Sequence, residues 1–233
     1  MAVAHVSSTY NLGSGASASL SLLPSGDNRL LLVGIAYSDL FGGVFIDGPP
    51  TFNGVAMTEV GVATGAGLIA LATFILVAPA ALSRSVDVVF SDSAEWAVFG
   101  SVYSGVSQSA PLGSVATATG NSSEASVSLG STANDGMVAD ALVVDALSAN
   151  VAGSPHGAQV ERVDATTGTS PNKLSLGASD DDAGGPATMA WTLTHSRGWA
   201  HRAIELLAAP AGGARRGVGR GMHGGRRLST FAG

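Results

Sequence analysis

The sequence predicts an all-β chain, folded as a single jelly-roll-like β-sandwich with an extended basic C-terminal arm. Three observations support this. Turn residues recur at short intervals along the chain. Between them lie runs of about six to ten residues rich in Val, Leu, Ile, Thr and Ser, the spacing of sandwich and barrel strands. No stretch combines helical periodicity with capping residues.

The elements follow in order. Ala4–Tyr10 comes first, then Ala16–Leu22, which alternates as ASASLSL with the two-residue period of a strand. Asn28–Tyr37 (NRLLLVGIAY) is a continuous apolar run, as in a central strand buried on both faces. Thr51–Asn53 and Val55–Glu59 flank Asn53-Gly54, a hairpin signal because both residues tolerate positive φ. Gly67–Val77, Val86–Ser91 and Trp96–Tyr103 follow. The second half repeats the style, with Ser114–Thr119, Ala125–Leu129, Gly136–Leu147, Ala158–Asp164, Lys173–Ala178, Thr188–Thr194 and Ala200–Ala208.

Two runs admit a helix as the alternative. Gly136–Leu147 fits neither period well, but the turn Asn134-Asp135-Gly136 before it favours a strand. The run from Val60 to Ser83 has no charged residue and is long enough to span a bilayer. It is broken by Gly61, Gly65, Gly67 and Pro79, so buried strand is the reading and no membrane contact is expected. The N-terminus has no basic and apolar regions in series, so a secretory signal is not expected.

Pro210-Ala-Gly-Gly marks a boundary between a body, residues 1–210, and a Gly/Arg-rich arm, residues 211–233, too low in complexity to build its own core. Charge follows the same boundary. The body holds all 17 Asp and Glu with 6 of the 11 Lys and Arg, a net −11. The arm carries Arg215, Arg216, Arg220, Arg226 and Arg227 without an acid, a net +5. An acidic body argues against a nucleic-acid-binding domain. The arm is the most function-like feature and is expected to bind a partner surface of negative charge, such as another copy of the body. A disordered tail with no role and binding of the arm to a genome are the alternatives.

Only 12% of residues are charged, against about 25% in average domains, so the surface is polar without being ionic. The chain has no Cys, which excludes disulfides, Cys-ligated metals and a thiol nucleophile. No G-x-S-x-G elbow and no G-x-G-x-x-G cradle occurs. His195 and His201 flank SRGW and would approach each other if Thr188–Thr194 and Ala200–Ala208 formed a hairpin, but their spacing matches no metal motif, and both read as surface histidines. Asp180, Asp181 and Asp182 beside Gly184-Gly185 form a weak Ca²⁺ candidate, with a solvated turn as the competing reading. Of the aromatic residues, Trp199 next to Gly198 is the candidate for exposed ligand contact, while Trp96 and Tyr103 read as core. No enzyme activity and no cofactor is expected.

The order NRLLLVGIAYSD, PTFNGVAMTEVG, ATFILVAPAAL, VDVVFS, WAVFGSVYSGVSQSAPLG, GMVADALVVDAL and GWAHRAIELLAAP resembles a β-sandwich module of phage virion-associated proteins and of bacterial surface or secreted proteins. The resemblance covers Asn28 to Pro210, and its motifs are structural: turn glycines, core aliphatics and a strand-ending Pro79. It implies no catalytic residues. With the charge layout, it leads to the expectation of a non-enzymatic virion protein of a bacteriophage. Such a protein would serve as decoration, spike or tail accessory and associate with itself as a homo-oligomer and with other virion proteins. The alternatives are a carbohydrate-binding surface module using Trp199 and the Asp181 loop, or a small coat protein with a genome-binding arm.

Overall fold

The structure, a computed structural model, describes residues 2–38, 43–66, 68–147, 153–168 and 173–210. The described residues are all-β without a helix, in two antiparallel sheets packed together. The first sheet contains β1 (Ala4–Leu22), β2 (Leu30–Ser38), β3 (Thr51–Phe52), β4 (Val55–Ala56), β5 (Thr58–Gly65), β6 (Ile69–Val77) and β7 (Arg84–Ser104). Its order is β4-β3-β7-β2-β6-β5, with β1 on the other side of β7. The second contains β8 (Leu112–Thr132), β9 (Met137–Leu147), β10 (Gly153–Pro155), β11 (Val160–Thr167), β12 (Lys173–Asp182) and β13 (Gly185–Leu206). Its order is β10-β13-β9-β12-β11, with β8 on the other side of β13.

The strands expected at Gly136–Leu147 and within Val60–Ser83 are present as β9 and as β5 and β6. Four pairs of expected strands turn out to be single long strands. Ala4–Tyr10 and Ala16–Leu22 are both in β1, and Val86–Ser91 and Trp96–Tyr103 are both in β7. Ser114–Thr119 and Ala125–Leu129 share β8, as Thr188–Thr194 and Ala200–Ala208 share β13. The polar segments between them are bends. Pairing of β1 with β7 jumps from Gly15↔Ala94 to Ser17↔Val89, and β13 with β8 from Thr192↔Glu124 to Arg197↔Ser122. Each long ribbon then folds back over its own sheet. A Cβ at Gly100 would touch Leu20 and Leu22, although Gly100 pairs with Thr9 in the same ribbon. Likewise Val127, Leu129 and Met189 pack on Val138 and Ala203.

The two halves of the chain share one plan. Strand order β7-β2-β6-β5 with β1 corresponds to β13-β9-β12-β11 with β8, and β3 and β10 each pair with the long strand on the same side. The register agrees residue by residue. Trp96 pairs with Gly13 and Tyr37, and Trp199 with Gly120 and Val144. Ladder irregularities fall at Glu59/Gly61 in β5 and at Glu161/Val163 in β11. Asn28 and Asp135, each two residues before a central strand, both have positive φ. Each half buries a core of its own between its sheet and its folded ribbon. Two further clusters join the halves: one includes Leu71 and Phe99 with Val143 and Leu176, the other Leu30 and Tyr103 with Ile204 and Leu206. Most of the apolar residues of the sequence are used in these layers, whose burial drives folding.

Candidate interaction site

The five arm arginines, Arg215, Arg216, Arg220, Arg226 and Arg227, lie outside the described residues. Trp199 is placed differently from the expectation. It sits inside β13 rather than in a hairpin loop, is 6% exposed, and packs with Leu142, Val144 and Trp191. Its indole N–H donates to Ser122 Oγ at 3.0 Å. With β13 continuous, His195 and His201 do not face each other across a hairpin. His195 is exposed, whereas His201 is completely buried, which corrects its reading as a surface residue.

The acidic triplet does not form a turn either. Asp180, Asp181 and Asp182 end strand β12, where successive side chains alternate sides. Asp180 is buried and accepts two hydrogen bonds from the Arg162 guanidinium, at 2.8 and 2.7 Å. Asp182 is exposed. No group of three or more His, Asp or Glu able to hold a metal occurs among the described residues.

Two polar ties cross between the sheets, one from each. The Tyr103 hydroxyl on β7 donates to Asp180 Oδ2 on β12 at 3.4 Å. Burial, reinforced by the Asp180 carboxylate, pushes the Tyr103 hydroxyl well above its usual value. The hydrogen bonds to Asp180 raise Arg162 further. His5 packs edge-on to Tyr103, bonds Ser8 Oγ at 2.7 Å, and is held below its usual value by burial and by Arg162. In the other direction, Arg202 on β13 donates to Thr73 Oγ1 on β6 at 3.0 Å and to Thr117 Oγ1 at 3.0 Å. Burial lowers the Arg202 guanidinium.

A third polar group lies inside the second half. Asp140 Oδ2 accepts from Trp191 Nε1 at 2.8 Å and lies 2.9 Å from His201 Nε2. Asp140 Oδ1 accepts from the Ser179 backbone N–H at 2.6 Å. His201 Nδ1 is buried without a hydrogen-bond partner. By register, the first-half counterparts of Asp140, Trp191 and His201 are Val33, Val88 and Val98. Nearby, Glu205 accepts from the Ser114 and Ala133 backbone N–H groups at 2.7 and 2.5 Å, where the first half has Val102. These groups are ties within the fold, shielded from solvent.

A concave feature open to solvent lies in the first half. A cleft of about 380 Å³ is lined by Tyr37, Phe45, Ile46, Pro49, Val62 and Phe74, with Gly48 at its wall and the exposed Glu59 as its single charged residue. In the second half, Val144, Gly153 and Asp164 take the places of Tyr37, Ile46 and Val62. There the Trp191 indole fills the space between Gly153 and Gly177 and leaves a void of about 10 Å³. Burial raises the Asp164 carboxyl on that wall, against the pull of the Gly153 N–H.

No family model, curated protein or solved structure matches this chain.

Sequence reasoning missed Asp140, Arg162, Arg202 and Glu205 as ties, and it missed the cleft. A signal for the ties was present: Asp140 interrupts the apolar run GMVADALVVDAL, and His201, Arg202 and Glu205 interrupt GWAHRAIELL. Charged residues in a strand otherwise buried on both faces must be paired inside. The cleft left no such signal, because its walls come from β2, β5, β6 and residues 45–49, which meet only in the folded sheet.

Proposed function

We propose that this chain is a non-enzymatic structural protein of a bacteriophage virion. It acts as a capsid decoration, spike or tail-accessory protein by associating with copies of itself and with other virion proteins. The observation that carries the associative part is the state of the two long edges. β1 and β8 each pair on one side only among the described residues. Over their 19 and 21 residues they carry one charged side chain of the Asp, Glu, Lys and Arg type, Glu124. Unpaired edges invite pairing with another chain, and monomeric proteins guard them with Lys, Pro or covering loops. Edges of this length without such charges fit a protein whose surface is completed by neighbours. The sequence resemblance supports the place, a virion. The basic arm, with Arg215, Arg216, Arg220, Arg226 and Arg227, supplies a second means of attachment.

Peptide mass spectrometry on density-purified particles, beside the washed cell-envelope fraction, tests this reading. Peptides in the particles at a constant ratio to the main coat protein are the expected result. Peptides found only in the envelope would overturn it.

A further inference from the structure

We propose that the open cleft of the first half receives the end of the arm, residues Arg226 to Phe231, from a second copy of this chain. The proposal rests on the assembly reading above and names its contact.

Three observations support it. The cleft is an exposed apolar surface: Phe45 is 57% and Val62 48% exposed, and the aromatic rings of Tyr37 and Phe74 also line it. Concave, mostly apolar surfaces are where binding sites ordinarily form. The second half offers a comparison. There Val144, Gly153 and Asp164 take the places of the cleft-lining Tyr37, Ile46 and Val62, the chain's own Trp191 indole packs against Gly153 and Gly177, and a void of only about 10 Å³ remains. The same place in the fold is thus closed by the chain's own side chains in one half and open in the other.

The arm matches what remains to be supplied. Arg226-Arg227-Leu228-Ser229-Thr230-Phe231 places two guanidinium groups before a Leu and an aromatic ring. The cleft offers one carboxylate, Glu59, beside apolar and aromatic walls. Phe231 or Leu228 fills the cleft, and Arg226 or Arg227 meets Glu59. Arg202 lies behind β5 against Gly61 and also feels the Glu59 charge, so the apolar anchor contributes more than the ion pair. The 15 residues 211–225 span up to about 50 Å when extended, long enough to reach a neighbouring copy.

The test is sedimentation velocity on the full chain over a concentration series. It compares wild type, Phe231→Ser, Val62→Asp and Glu59→Gln, with a synthetic peptide of residues 211–233 as competitor. Circular dichroism and thermal melting establish that the variants fold. The expected result is self-association weakened about tenfold or more by Phe231→Ser and by Val62→Asp, as for removal of a buried anchor, and less by Glu59→Gln. Excess peptide returns the wild type toward monomer. Equal association of wild type and Phe231→Ser, or no effect of peptide, overturns the proposal. A wild type that remains monomeric while the labelled peptide binds it would place the arm in its own cleft, and also overturns it. Arm-dependent association by a protein absent from particles would retain this contact and discard the virion reading.

Discussion

Asp140 gathers the Trp191 indole, the His201 ring and the Ser179 backbone N–H at a site where the counterparts of Asp140, Trp191 and His201 in the other half are Val33, Val88 and Val98. The comparison shows that the fold does not require a carboxylate there. Once present, however, it cannot be removed alone. Asp140→Val should cost about 3–5 kcal/mol in urea unfolding, because it strands buried donors. Adding His201→Val should recover part of that loss. A cost for Asp140→Val below about 1 kcal/mol would mean the group is hydrated or loosely held. At this scale the sequence was partly legible. Trp96 and Tyr103 were expected in the core and lie there, 6% and 1% exposed. Trp199 and His201 were misplaced because a Gly-Trp pair and a Ser-Arg-Gly segment read locally as a turn. Only the partner strand β8 shows that the backbone continues through them.

The repeat is clearest among the elements. Gly13 faces the ring of Trp96, and Gly120 the ring of Trp199, at corresponding positions of β1 and β8. A Cβ at Gly13 would stand 2.6 Å from Trp96 Cζ2, and one at Gly120 would stand 2.5 Å from Trp199 Cζ2. Gly13→Ala and Gly120→Ala should each lower stability by about 1–3 kcal/mol through overpacking. Chemical denaturation of the two variants should give similar losses. A loss at one site with none at the other would break the equivalence. Individual strands were visible from alternation and apolar runs, because the strand period is written locally. Their joining into β1, β7, β8 and β13 was not. A bend and a turn use the same Gly, Ser and Asn residues, and what distinguishes them is whether the ladder resumes on the same neighbour.

For the whole molecule, the joined core governs how it unfolds. Each half has its own core, yet Leu30, Phe99, Tyr103, Val143, Leu176 and Ile204 lie in clusters shared by both. Tyr103–Asp180 and Arg202–Thr73 add polar ties across the same interface. Scanning calorimetry should therefore show one transition, with calorimetric and van't Hoff enthalpies in agreement. Two resolved transitions would mean that the halves are independent domains.

By itself the sequence determined the all-β class, the central strand β2, the hairpin at Asn53-Gly54, and the separation of an acidic body from a basic arm. These depend on local period, turn chemistry and charge, which neighbours along the chain encode. The tertiary structure alone decided that the halves repeat one plan, that the ribbons fold over their own sheets, and that the Tyr37 cleft stays open while Trp191 closes its counterpart. The reason is sequence distance. The repeat is held in pairing register and burial, which tolerate exchange of valines for Asp140, Trp191 and His201. A cleft is set by side chains from β2, β5 and β6 that meet only after the sheet has formed.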